Sequence, residues 1–164
     1  GILKRSVKRE ELIKEIEAGA QSRSVVVLDA CFSGKAPDGK DLVPGIMPAL
    51  AVAPAVTVAS TVVLSAAKGN QFAGPLPGLD RPAFSYLALG ALRGWADGDG
   101  DGSVRSDEVI RYAGGVLTTT LNGREQTPER SGEDVVLAKG VRERAPDLTD
   151  LLKASLADLQ KVDA

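Results

Sequence analysis

One short segment combines a thiol, a carboxylate and small residues at a spacing suited to nucleophilic chemistry. It reads Asp29-Ala30-Cys31-Phe32-Ser33-Gly34 and directly follows the apolar run at residues 25–28. Short apolar runs rich in β-branched residues are typical of strands buried on both faces of a parallel sheet, and reactive groups lie at the carboxyl ends of such strands. We therefore predict that Cys31 is a nucleophile at a strand end. The alternative is a small buried cysteine without chemistry.

The segment resembles the nucleophile motif of the caspase-like cysteine peptidases, in particular the metacaspase and bacterial caspase-like branch. That branch carries Asp-x-Cys-x-Ser-Gly after an apolar strand, and Asp29, Cys31, Ser33 and Gly34 match it. Weaker similarities follow at residues 61–67, 71, 83–87, 96–102 and 126–128, so the resemblance covers about residues 6–128. It implies an α/β fold, a three-layer αβα caspase-like sandwich with a mainly parallel sheet, incomplete in this chain.

The family hydrolyses peptide bonds with a Cys–His dyad, yet this chain contains no histidine. In the family the histidine lies upstream of the cysteine, in a His-Gly pair that follows an earlier strand. An unassisted thiol has a pKa near ~8.5, and an adjacent imidazole lowers that pKa and later protonates the leaving amine. We therefore expect residues 1–144 to be the C-terminal portion of a peptidase domain. Its partner would be a His-bearing N-terminal fragment of the same domain, separated from it by proteolytic processing.

The resemblance also implies a substrate site for proteins or peptides cleaved after Arg or Lys. In the metacaspase branch the residue matching Asp29 lies on the floor of the pocket that pairs with the basic side chain. Side-chain alternation places Asp29 on the same side as Cys31, and the alternative role for Asp29 is to cap a following turn. Ser65 and Ala66 match a strand end that lines the groove for an extended peptide. The loop at residues 68–74 lacks the further acid that metacaspases usually carry there.

A second segment, residues 97–108, carries acids at the spacing of an EF-hand calcium loop, D-x-D-x-D-G-x₅-E. The predicted ligands are Asp97, Asp99, Asp101, the backbone carbonyl of Ser103, and Glu108. Hard oxygen ligands in a roomy loop favour Ca²⁺ over Mg²⁺ or Zn²⁺, and the expected role is structural or regulatory. The alternative is a solvated acidic turn whose aspartates cap the helix that follows.

Hydrophobic periodicity and the placement of glycine and proline predict the elements that position these segments. Helices are predicted over residues 6–18, 82–95, 108–112 and 149–162, the last within a C-terminal helical segment at 145–164. Strands are predicted over residues 24–28, 56–64 and 117–121. Loops are predicted over residues 35–54, 69–81, 97–107 and 122–134.

Composition excludes several function classes. The chain has 164 residues, 43% hydrophobic, which suits one domain or part of one. Its 20 basic and 22 acidic residues argue against nucleic-acid binding through a basic surface. No apolar run approaches the ~20 residues of a membrane span, so no membrane partner is expected. The single cysteine excludes an internal disulfide and favours a reducing, cytoplasmic location.

A second function class fits the same sequence. A non-catalytic, caspase-like module that responds to Ca²⁺ and serves interaction or regulation would need no histidine. The intact Cys31 motif favours the peptidase.

Overall fold

The strand that precedes the thiol motif pairs directly with the next apolar strand of the chain. The computed structural model describes residues 7, 9–19, 22–30, 61–69, 71–77, 81–121 and 123–147. In it, β1 (Ser24–Leu28) runs parallel to β2 (Thr61–Ser65). The register aligns the last residues of the two strands, Leu28 and Ser65. Both strands therefore end at the same edge of the sheet.

Antiparallel pairing completes the described sheets. Strand β4 (Glu129–Ser131) pairs with β2 on the side away from β1, which gives the order β1-β2-β4. A separate two-stranded sheet joins β3 (Ser103–Arg105) to β5 (Val136–Lys139), also antiparallel. The described chain is thus a mixed α/β fold with both parallel and antiparallel pairs. The expectation of a mainly parallel sheet is met, among the described strands, only by β1 and β2.

Two helices cover one face of the larger sheet. They are α2 (Ala83–Gly90) and α3 (Ser106–Thr120), which pack against each other and, through a shared core, against β2. The largest fully buried side chains of that core are Phe84, Leu64, Leu87, Leu117, Val104 and Val109. A third helix, α1 (Arg9–Ala18), buries Ile13 outside this core, while Leu12 is exposed. None of the described helices has the length and apolar character needed to cross a membrane.

A widened turn, Ala91–Trp95, ends α2 and leads into the acidic segment. Gly90 carries no Cβ, and a Cβ there would overlap the ring of Trp95, which folds back over the helix. Gly94 has a φ of 126°, a value that favours glycine, and the backbone of Glu143 approaches it closely. The two glycines thus let the chain leave α2 abruptly while the indole stays packed between Tyr86 and Tyr112.

One predicted strand is wrong. The sequence predicts a strand at residues 117–121, but residues 117–120 are the last turn of α3, although consecutive threonines favour strands by propensity. Three buried side chains at helical spacing, Val109, Ala113 and Leu117, hold this segment on the core. Each threonine hydroxyl donates back to the carbonyl four residues earlier, so a helix satisfies these side chains as well.

Other expectations are met in part. The strand at 24–28 is confirmed, but Val25 and Val27 are each 44% exposed, so β1 is not buried on both faces. The predicted strand at 56–64 appears as β2, and residues 56–60 lie outside the described part. Strands β3 and β4 lie within the predicted loops at 97–107 and 122–134, and β5 lies where the sequence predicts no element. The predicted helix at 149–162 lies outside the described residues.

Candidate functional site

The predicted nucleophile lies just beyond the described chain. Ala30 is the last described residue before a gap at residues 31–60, and that gap contains Cys31, Ser33 and Gly34. The role of Cys31 therefore stays a prediction. The structure does describe what lies immediately before it, namely the end of β1 and the side chain of Asp29.

Asp29 caps a helix that begins far away in the sequence. Its carboxylate oxygen Oδ2 accepts a hydrogen bond of 2.7 Å from the backbone N–H of Ser85, in the first turn of α2. The first N–H groups of a helix have no partner within the helix, so an acceptor from elsewhere stabilises them. Pro82, at the N-cap position, supplies no side-chain bond, and the first turn of α2 contains no acid. Asp29 fills that role from the end of β1.

The same carboxylate lines an open cleft of about 400 Å³. Besides Asp29, its lining includes Ala30, Phe72, Ala73, Pro75, Arg81 and Pro82. Mostly apolar walls around one half-buried acid suit a long side chain with an aliphatic stem and a cationic head. Arg81 is exposed and contributes a positive charge at the rim.

Ser65 and Ala66 lie at the same sheet edge but are buried, at 8% and 0% exposure. Ser65 is paired on both sides, with Leu28 of β1 and Glu129 of β4. The backbone N–H of Ala66 donates to the Leu28 carbonyl, at 2.9 Å. A peptide that paired with these residues would have to displace bonds the chain already makes. Their role in a peptide groove stays a prediction, and Asp29 is the member of the set that borders the cleft.

Three side chains from residues 124–127 hold one wall of the cleft. Gln126 bonds to Ala66 and Gly74, the Thr127 hydroxyl accepts from Gln71, and Arg124 lies over the ring of Phe72. Sequence reasoning noted Gln71 and the Gln126-Thr127-Pro128 turn only as similarities. It gave no reason to bring them together, because polar residues in loops carry no periodic signal.

The structure brings three of the predicted metal ligands together. One carboxylate oxygen from each of Asp97, Asp99 and Glu108 lies within 4.8 Å of the others. Asp101 is not part of this cluster, and its Oδ1 accepts a bond of 2.6 Å from the backbone N–H of Ser103. Ser103 is the first residue of β3. The cluster therefore contains the first, third and twelfth positions of the EF-hand pattern.

The loop folds around its own backbone. Asp97 Oδ2 accepts from the N–H of Gly102, and Asp99 Oδ1 accepts from the N–H of Asp101, each at 3.1 Å. Gly102 has a φ of 78°, which supplies the sharp turn that the sixth position requires. The second carboxylate oxygen of Asp97, Oδ1, is buried and has no hydrogen-bond partner within the described residues. A buried carboxylate oxygen without a donor is costly unless a cation approaches it.

The loop aspartates do not cap the helix that follows. The start of α3 is held instead by Glu108, whose Oε2 accepts from the backbone N–H of Arg105 at 2.7 Å, and by Asp134. Asp134 Oδ1 accepts from the backbone N–H of Asp107 and the hydroxyl of Ser106, and Oδ2 accepts from Arg105 Nε at 2.5 Å. Burial opposes ionisation of Asp134, but these hydrogen bonds outweigh it and lower its pKa to about 2. The same contact raises the pKa of Arg105.

Comparison of the chain with protein-family models, curated protein sequences and solved structures finds no significant match.

Proposed function

We propose that this chain is the nucleophile-bearing portion of a caspase-like cysteine endopeptidase that cleaves proteins after Arg or Lys. The observation that carries the proposal is the position of Asp29. Its half-buried carboxylate borders an apolar-walled cleft at the carboxyl edge of two parallel strands, two residues before Cys31. In this proposal the complete domain is a three-layer αβα sandwich whose sheet extends beyond the strands described for this chain.

The proposed reaction assigns one step to each group. The Cys31 thiol transfers its proton to a histidine, and the thiolate attacks the scissile carbonyl carbon. The histidine then protonates the leaving amine as the C–N bond breaks, which leaves an acyl-thioester on Cys31. Water, deprotonated by the same histidine, hydrolyses the thioester and regenerates the thiol. Asp29 holds the basic side chain of the residue that donates the carbonyl, through a charge-assisted pair in the cleft.

The sheet offers a place for the segment that would supply the histidine. Within the described part of the chain, β1 is paired only on the side of β2. Its exposed Val25 and Val27 line an apolar crevice of about 120 Å³ with side chains of α2, α3 and β5. A further strand added to this edge would pair the open backbone groups and cover the exposed valines. We assign that position to the His-bearing N-terminal fragment.

The test uses the protein together with its His-bearing segment, assayed on peptides that end in Arg, Lys, Asp or Leu before the scissile bond. Cys31→Ala should abolish turnover. Asp29→Asn should remove the preference for Arg and Lys while keeping an oxygen that can accept from Ser85. Asp134→Asn is the matched control, since Asp134 also caps a helix. Unchanged turnover by Cys31→Ala would contradict the peptidase, whereas equal cleavage after Asp or Leu by the unmodified protein would contradict only the assignment of Asp29.

The acidic loop supports a second candidate function, a Ca²⁺-responsive module that regulates or binds rather than catalyses. Two observations favour it: the carboxylates of Asp97, Asp99 and Glu108 cluster, and Oδ1 of Asp97 is buried without a hydrogen-bond donor among the described residues. Bidentate ligation by Glu108 would compete with its bond to the backbone of Arg105, so binding would adjust the start of α3. Calcium binding at this loop is compatible with peptidase activity, and it is equally compatible with a chain that has no catalytic activity.

Isothermal titration with CaCl₂ tests the loop. The unmodified chain should release or absorb heat at one site per chain, and Asp97→Asn should reduce the affinity by about tenfold or more. Asp107→Asn is the control, because Asp107 is an acid next to Glu108 but outside the cluster and pairs with Arg130 at 2.7 Å. Absence of heat in the unmodified chain would remove the calcium assignment.

A further inference from the structure

We propose that Gln126 is a positioning residue that sets the shape of the Asp29 cleft and thereby its selectivity for a basic side chain. This inference rests on the proposed function, since it concerns the same substrate site. It assigns to the segment at residues 124–127 a role that neither the nucleophile motif nor the acidic loop suggests. Gln126 itself does not line the cleft and would act through the loop between β2 and α2.

Gln126 joins the start of that loop, at Ala66, to a point further along it, at Gly74. Its Nε2 donates to the carbonyl of Ala66, and its Oε1 accepts from the backbone N–H of Gly74, each at 3.2 Å. The side chain is only 4% exposed, so water does not replace either bond easily. A single buried amide therefore fixes the separation of residues 66 and 74, which lie at the start of the loop and within the wall of the cleft.

A second contact holds the middle of the loop to the same segment. Gln71 Oε1 accepts from the backbone N–H of Thr127 at 2.7 Å, and Gln71 Nε2 donates to the Thr127 hydroxyl at 3.1 Å. The Oε1 atom also accepts from the backbone N–H of Lys68, at 3.3 Å. The loop is thus joined to the 124–127 segment at residues 66, 71 and 74. It cannot move away from that segment without breaking these bonds.

Arg124 fixes the wall at the cleft itself. Its guanidinium lies 5.4 Å from the ring centroid of Phe72 and donates to the carbonyl of Pro75 at 2.7 Å. A Cβ at Gly74 would overlap both Arg124 and Phe72, so the absence of a side chain there allows the close approach. Phe72, Gly74 and Pro75 all line the cleft. The backbone N–H of Ala83 also donates to the Gly74 carbonyl at 3.0 Å, so the wall is held between the start of α2 and residues 124–127. The second of these two supports depends on Gln126 and Arg124.

The shape of the wall matters because the pairing of a guanidinium with a carboxylate depends on position. A charge-assisted pair keeps its strength only near its short N···O distance of about 2.7–2.9 Å, so a displaced ligand group binds more weakly even when every contacting residue is still present. Loss of the Gln126 bonds would let the wall shift while Asp29 stays held by Ser85. We expect weaker binding of basic side chains with little change in the chemical step.

The experiment measures kcat and KM of the protein with its His-bearing segment on Arg-ended and Lys-ended peptides. Gln126→Met, close in size but without hydrogen bonds, should raise KM for the Arg-ended peptide about tenfold and leave kcat within about twofold. Gln71→Met, at a less buried position that perturbs folding less, should raise KM about threefold. Glu125→Gln, an exposed neighbour, is the control and should change neither constant.

The outcomes separate this inference from the proposed function. Thermal unfolding of each variant shows whether it folds; if Gln126→Met does not, Gln71→Met decides. A folded variant with unchanged KM and an unchanged ratio of Arg to Lys cleavage would overturn the positioning role, provided that Asp29→Asn still raises KM. Equal losses of kcat for all peptides would also overturn it, because they indicate a general structural effect. If Asp29→Asn itself has no effect, the substrate assignment fails, and the role of Gln126 fails with it.

Discussion

Two aspartates begin two helices in this molecule, and their surroundings differ. Asp29 accepts one hydrogen bond within the described chain, from the backbone of Ser85 at the start of α2, and borders an open cleft. Asp134 accepts from Arg105, Ser106 and the backbone of Asp107 at the start of α3. Both carboxylates complete a helix terminus from a distant part of the chain. Asp29 also lines a cleft of about 400 Å³ that a ligand side chain could enter.

The difference separates a structural carboxylate from a candidate binding group. A carboxylate has about four acceptor positions, and Asp134 uses most of them within the chain. Asp29 combines a single donor from the described chain with a mostly apolar wall, an arrangement that leaves acceptor positions for a cationic partner.

The largest expected effect is on activity. Asp29→Asn should lower kcat/KM for an Arg-ended peptide by about 100-fold, because it removes a charge-assisted pair worth roughly 3 kcal/mol. Asp134→Asn should change kcat/KM by less than about twofold. Steady-state kinetics of the protein with its His-bearing segment measures both. Equal losses for the two variants would mean that helix capping, and not substrate charge, explains the effect of Asp29.

The second effect is on the free energy of unfolding, and here the larger loss is expected at Asp134. Asp134→Ala should lower the free energy of unfolding by roughly 2–3 kcal/mol, because it removes several charge-assisted bonds and leaves the buried Ser106 with fewer partners. Asp29→Ala should cost about 1 kcal/mol, the usual value of one N-terminal cap. Urea unfolding of this chain measures both changes. A larger loss for Asp29→Ala would contradict this prediction, because it would mean that Asp29 stabilises the fold more than Asp134 does.

A third, smaller effect depends on pH. The pKa of Asp134 is lowered from 3.8 to about 2, so its ionised form favours the folded state. That stabilisation is present above about pH 4 and is lost as the pH falls towards 2; with allowance for solvent screening it amounts to roughly 1–2 kcal/mol. Urea midpoints across this range should fall more steeply for the unmodified chain than for Asp134→Asn. Parallel curves would contradict the lowered pKa.

The smallest effect concerns Arg105. Arg105→Gln removes the bond from its Nε to Asp134 but leaves the bonds from Ser106 and from the backbone of Asp107. The pKa of Asp134 should rise part of the way to its ordinary value, and acid unfolding should begin at a slightly higher pH. NMR titration of the Asp134 carboxyl carbon measures the pKa directly. An unchanged pKa would show that the backbone and hydroxyl bonds alone are responsible.

Local patterns predicted several parts of this structure correctly. The apolar run at residues 24–28 is β1, and Pro82 lies just ahead of α2, as its preference for helix starts suggests. The spacing of Asp97, Asp99 and Glu108 predicted acids that do lie together. These features depend on contacts between residues only a few positions apart, which sequence spacing encodes directly.

Other parts could not be predicted from local pattern. The threonines at residues 118–120 favour a strand by propensity, but burial of Val109, Ala113 and Leu117 on the core makes the segment helical. The start of α3 is capped by Glu108 and by the distant Asp134, and the loop residues Asp97, Asp99 and Asp101 bond within their own loop. In both cases tertiary packing outweighed a local preference of a few tenths of a kcal/mol to about 1 kcal/mol.

The sequence by itself determined the chemistry that is present: a thiol and an acid two residues apart, and a loop with acids at cation-binding spacing. Only the tertiary structure decided what those groups contact. The bond from Ser85 to Asp29 joins residues 56 positions apart, and the bonds of Gln126 to Gly74 and Ala66 join residues 52 and 60 apart. No local preference encodes such pairs, because they form only when packing of the core brings the sheet edge, α2 and the 124–127 segment together.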